Sequence, residues 1–201
     1  MKEWTKEDSK RLASYKYITD NDNIRIKEII KQKLLANDDI IHVLDNKELQ
    51  DSDAENDEYF GEFANIRDYY LLPETQTNAQ NFICYTVGYE NVERNFTNSS
   101  RTYNDLQRHL HIIFVILCEE KNIRDRDTGI ARHDLLAALI QNEFNHTNYF
   151  GRKVELISDN ESVVDSKYLA RTLIFSQVTD NNITKTQYGN PSRIVNKEVH
   201  V

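Results

Sequence analysis

The sequence predicts an α+β domain: a mainly antiparallel four-stranded sheet with helices packed on it, and extended arms at both ends. Three observations predict it. The run IIFVILC, from Ile112 to Cys118, holds no charged or amide side chain and is dominated by β-branched and aromatic residues, as a strand covered on both faces requires. A charged connection, EEKNIRDRDTG, leads from it into ARHDLLAALIQNEFNHT, where Leu135, Leu136, Leu139, Ile140 and Phe144 recur at helical spacing along one side. The segments around this pair read in the order helix, helix or turn, strand, strand, helix, strand, strand, with no internal repeat.

Residues 1–21 are polar, anchored by Trp4, Leu12, Tyr15, Tyr17 and Ile18, and read as an N-terminal arm. Asn21, Asp22 and Asn23 offer helix caps, and Ile26, Ile29, Ile30, Leu34 and Leu35 form one stripe, so a helix follows to about Leu35. Asn37, Asp38 and Asp39 interrupt it. Ile40, Ile41, Val43 and Leu44 then resume an apolar face as a second capped turn or short helix. Residues 45–62 are strongly acidic, the composition of a solvated loop, and Phe60 to Pro73 is an irregular aromatic segment.

FICYTV (82–87) is the first strand, joined by a polar connection over 88–104 to the second, which begins near Arg108; the two pair most simply antiparallel. The helix from about Ala131 to Asn145 is followed by an alternating strand, KVELI (153–157), and by a polar turn at Asp159, Asn160, Glu161 and Ser162. YLARTLIFSQV (168–178) is the last strand, with one wetted face. Residues 179–201 are a polar C-terminal arm with a turn at Asn190–Pro191, which leaves one domain over 22–178.

The formal charge of −8 repels nucleic acid and anionic membrane, and no basic patch relieves it. No apolar run suits a signal peptide or a membrane span, so we expect synthesis in the cytoplasm and no membrane partner. Cys84 and Cys118 sit inside apolar strands, where a thiol behaves as a small hydrophobe. With five glycines and no Gly-x-Ser-x-Gly turn, neither a phosphate-cradling loop nor a nucleophile elbow is present, and we assign no catalytic residue and no cofactor.

Nor is a metal site assigned. Asp51, Asp53, Glu55, Asp57 and Glu62 have calcium-loop spacing, but Asn56 stands where that loop needs Gly. His109 and His111 share a strand face as a two-ligand edge without a third ligand, and His42 is a lone side chain in an apolar run. Asp134, in the first turn of its helix, suits the positive helix terminus.

The candidate functional residues are therefore those of an interface. Tyr69, Tyr70, Leu71 and Leu72 cluster in an irregular stretch that either fills a core edge or meets a partner. Arg124 and Arg126 precede the main helix, where they either lie solvated or pair with acids of a neighbouring subunit.

The segment GIARHDLLAALIQNEFNHTNYFG, Gly129 to Gly151, resembles the tail-terminator and neck proteins of long-tailed bacteriophages. So does the order of NIRIKEIIKQKLLANDDIIHVL, FICYTVGYE, LHIIFVILC, ARHDLLAALIQNEF, RKVELISD and YLARTLIFSQV, which together cover about residues 22–178. The resemblance is one of element order and texture. It implies a structural virion protein and no enzyme: a homo-oligomer, commonly a hexameric ring, at the head-proximal end of the tail tube. Such a ring ends tube polymerisation and joins the tail to the head connector or stopper protein, with DNA only as passing cargo. The arms and the acidic insert depart from that pattern and suit another neck, head-completion or collar protein equally. A small monomeric α+β enzyme or ligand-binding module is the reading of a different class, and it requires a concave pocket.

Overall fold

The computed structural model of the chain describes residues 5–13, 22–45, 65–70, 81–93, 106–164, 167–180, 183–185 and 191–193. Its helices are α1 (Lys6–Ala13), α2 (Asp22–Leu35), α3 (Asp38–Leu44) and α4 (Arg132–Phe144). Its strands are β1 (Ile66–Arg67), β2 (Phe82–Glu93), β3 (Leu106–Glu119), β4 (Glu155–Val163), β5 (Tyr168–Asp180), β6 (Ile183–Lys185) and β7 (Pro191–Arg193). The class is α+β, as predicted.

The main sheet has the order β1-β2-β3-β5-β4, so β3 and β5 lie at its centre and β4 at one margin. β2, β3, β5 and β4 are antiparallel neighbours. The four-stranded expectation misses a fifth strand: β1, only two residues long, pairs parallel with Ile83 and Cys84 of β2. Two buried amides fasten it there. The Asn65 side chain donates to Asn81 O at 2.7 Å and its backbone carbonyl accepts from Ile83 N–H, while the Asn81 side chain donates to Leu44 O at the end of α3. A two-residue strand is too short to show an apolar pattern, although Ile66 is fully buried in the core and the two amides fix the backbone around it.

Alternation along β3 divides the sheet into two faces. Leu110, Ile112, Phe114, Ile116 and Cys118 point toward the helices and are buried. Against them pack Ile26, Ile30 and Leu34 of α2, Ile40, Val43 and Leu44 of α3, and Leu136, Ala137, Ile140 and Phe144 of α4. Phe114 is the hub, with ring centroids 5.2 Å from Phe144, 5.7 Å from Phe175 and 6.2 Å from Tyr85. The opposite face has a smaller cluster at one end, made by Phe82, Cys84, Leu117, Tyr168 and Ala170. Toward the other end, Ile113, Val115 and Ile174 are only half-buried and Val178 is exposed. β3 is thus covered fully on one face and partly on the other.

Local chemistry explains the element ends. Asn37 caps α3 by accepting from Ile40 N–H at 3.2 Å, and Asp38 and Asp39 face its positive end. Asn145, just past α4, accepts from Leu156 N–H at 3.0 Å and so ties the helix end to β4.

Four other boundaries depart from expectation. α1 forms inside the expected N-terminal arm, because Thr5 and Asp8 make a reciprocal capping pair: Asp8 N–H donates to Thr5 Oγ1, and Thr5 N–H donates to Asp8 Oδ2. β2 runs on to Glu93, through the start of the expected polar connection. Asp159 to Ser162, read as a turn, belong to β4, with a bulge between Leu156 and Ser158. Lastly, β6 and β7 pair as a short antiparallel ladder within the expected C-terminal arm, and Pro191 opens a strand there. The acidic calcium-like segment, Leu71 and Leu72 lie outside the described residues.

Candidate interface and polar sites

The start of α4, Arg132-His133-Asp134, feeds two polar networks. Arg132 points inward, is 2% exposed, and donates from its guanidinium to Val43 O at 2.8 Å. Its other neighbours are Asp45 Oδ2 at 3.3 Å and Asp125 Oδ1 at 3.4 Å. Asp125 in turn shapes the loop before α4. It accepts from Thr128 Oγ1 at 2.7 Å and Thr128 N–H at 2.9 Å, and the loop closes through Gly129 with φ +71°, a conformation that favours glycine. Those Thr128 bonds first, and Arg132 after them, hold the Asp125 carboxyl below its usual range against the opposing effect of burial.

The second network crosses from α4 to β4 and β5. Arg171 of β5 grips Asp159 with two bonds, at 2.7 and 2.9 Å, and also bonds Asp134. Gln141 donates to Asp159 Oδ2 at 2.8 Å. Arg171 therefore lowers the Asp159 pKa, and the two acids raise that of Arg171. His133 Nε2 lies 3.2 Å from Glu161 Oε1, while its buried Nδ1 has no hydrogen-bond partner. Asp134 serves as the partner of Arg171 besides sitting near the helix terminus. Both networks join elements and carry no nucleophile.

The interface candidates are dispersed. Tyr69 and Tyr70 follow β1 and are 42% and 48% exposed, so these two stand at the surface and do not fill the core. Lys27 of α2 holds the backbone beside them, donating to Asp68 O at 2.6 Å. Arg124 turns back on its own loop, donating to Gly129 O at 2.9 Å, and Arg126 is exposed. Ile130 at the same loop, Ile157 at the β4 bulge and Val163 at its end are further exposed apolar residues, 47%, 58% and 72%. Sequence reading took Ile157 only as the end of the alternating strand KVELI and passed over Ile130 and Val163, since single apolar residues in polar stretches carry no periodic signal.

Cys84 and Cys118 are buried and form no disulfide, and burial pushes the Cys118 thiol up to about 12, which leaves it inert as a nucleophile. His42 is exposed and lies 3.0 Å from Asp127. Among the described residues, no group of three or more His, Cys, Asp or Glu side chains is placed to hold a metal ion, and no helix is long and apolar enough to cross a membrane.

Fold and surface define an α+β domain with helices on one face of a mainly antiparallel sheet and exposed aromatics beside a short margin strand. The chain belongs to the YomW family, which it matches over residues 37–177, from the cap of α3 almost to the end of β5. That family takes its name from a gene product of a Bacillus phage region, so the protein is phage-related. A search of curated proteins finds no match.

Proposed function

We propose that the protein is a structural component of a phage virion, a tail terminator at the head-proximal end of the tail tube. It assembles there as a homohexameric ring, ends tube polymerisation and joins the tail to the head connector or stopper. The virion neck is its location, and DNA passes through the ring as cargo only. Tyr69 and Tyr70 carry this reading. Large aromatic side chains displayed on an anchored backbone suit a subunit contact better than a solvated surface, because a ring needs one patch that meets a different patch on the next copy.

Two further features support it. The family is phage-related, and the polar groups of the helix start are engaged in holding α3, α4, β4 and β5 together. The net charge of −8 also suits a channel lining that DNA must slide past without binding.

The test is to add the purified chain to polymerising tail tube protein of the same phage and to measure tube lengths by electron microscopy, alongside solution mass across a concentration series. Shortened tubes capped at one end, with a hexamer in solution or on the tube, are expected. Unchanged tube lengths, together with a monomer at every concentration, overturn the proposal.

A further inference from the structure

The main sheet ends in two margins of different make. In the order β1-β2-β3-β5-β4, β1 closes one side and β4 the other, and no described strand lies beyond either. Among the described residues, exposed large apolar side chains stand at both margins: Tyr69 and Tyr70 just after β1, and Ile157 and Val163 on β4. Ile157 sits in the bulge between Leu156 and Ser158, and Val163 closes the strand. The charges around both patches are already paired within the chain. Asp159 is held by Arg171 and Gln141, Glu161 by His133, and Glu155 by Lys153 at 3.1 Å, while Lys27 reaches Asp68 beside the tyrosines. What each margin offers a neighbour is therefore its apolar side chains.

We infer that the β4 margin of one copy, with Ile157 and Val163, receives Tyr69 and Tyr70 of a second copy, an assignment that rests on reading the tyrosines as a subunit contact. Strand direction supports it. β1 runs parallel to β2, and β2, β3, β5 and β4 alternate, so β1 and β4 run in opposite directions. Repeating the domain by rotation about a ring axis sets β4 antiparallel to the neighbour's β1 and continues the alternation across the contact. The two patches also differ and lie on opposite sides of the sheet, as a head-to-tail contact requires. A two-fold contact between β4 margins would instead set Glu155, Asp159 and Glu161 against the same acids of the other copy. Scattered apolar residues need no partner, but an edge strand that shows two of them and carries no guarding Lys or Pro is a strand left to be covered.

The experiment compares the full-length wild type with Tyr69→Ser/Tyr70→Ser and with Ile157→Ser/Val163→Ser, each alone and in equimolar mixture, by light scattering coupled to size exclusion over a concentration series. Each variant alone should associate only at concentrations at least about tenfold above those of wild type. The mixture should form one-to-one pairs where neither variant associates alone, because each keeps the patch that the other lacks. If the β4 variant associates as wild type does while the tyrosine variant does not, the pairing is overturned and the ring stands. A mixture that stays monomeric overturns the pairing as well, with folding checked by circular dichroism and Ile157→Lys replacing the β4 variant should that fail to fold. If wild type forms its ring only on tail tubes, the comparison is made there: the β4 variant should lose capping, and capping at the wild-type level overturns the pairing. A wild type that neither associates nor caps tubes removes the ring and this contact together.

Discussion

Arg132 shows how a charge that reads as surface in the sequence becomes an interior fastener. Its guanidinium is buried between the C-terminal carbonyl of Val43, Asp45 and the buried Asp125. Removing one partner of such a group leaves the other charge without compensation, so Arg132→Ala should cost about 3–5 kcal/mol in urea unfolding. A loss under about 1 kcal/mol would show that the loop relaxes freely. Asp125 and Asp159 set the acid limit. Each carboxyl lies below its usual range when folded, so the unfolded chain binds the extra proton first. Their stabilisation is complete above about pH 4 and is lost as pH falls through the lowered folded values. The urea midpoint should therefore drop as the pH falls below about 4, and Asp159→Asn should flatten part of that slope. A midpoint level across that range would contradict it. None of these pairings was legible in the chain, since Arg132 and Asp125 look like any charged residues until α3 is laid beside them.

At the scale of elements, apolar periodicity was legible and polar strands were not. The runs Ile112–Cys118 and Leu135–Phe144 became β3 and α4 because each carries its own pattern and needs only a neighbour to bury it. β4 was cut short because Asp159, Asn160, Glu161 and Ser162 have turn composition. They extend as a strand because Asp159 reaches Arg171 and Gln141, and Glu161 reaches His133, all on other elements. α1 had a signal, Thr5 three residues before Asp8, but no apolar stripe beside it. The difference between the sheet faces yields a prediction. Phe114→Ala, facing the helices, should cost about 3–5 kcal/mol. Ile113→Thr, one residue earlier on the half-buried face, should cost under about 1 kcal/mol, since a β-branched residue is kept on a face that is only partly covered. Equal losses measured by denaturant unfolding would mean that both faces are equally covered.

At the scale of the whole molecule, the question is what the exposed apolar residues meet. Tyr69 and Tyr70 contribute nothing visible to the core, so the double substitution Tyr69→Ser/Tyr70→Ser should leave the unfolding midpoint within about 0.5 kcal/mol of wild type, as surface changes usually do. The same variant should shift association to concentrations at least about tenfold higher in light scattering coupled to size exclusion, as loss of an interface aromatic does. If mass and concentration dependence stay as in wild type, the contact between copies lies elsewhere. Ile157 and Val163, exposed on β4 at the far margin of the sheet, would then be the next surface to change.

What the sequence by itself determined is the α+β class, the two central elements, the helix stripes and the burial of both thiols. All of these follow from periodicity and composition within one stretch of chain. Only the tertiary structure decided the position of β5 beside β3, the parallel β1, the length of β4 and the employment of Arg132, His133 and Asp134. The physical reason is common to all of them. A hydrophobic residue declares its environment through its neighbours in sequence, whereas a polar residue is settled by whichever partner folding brings within hydrogen-bond reach.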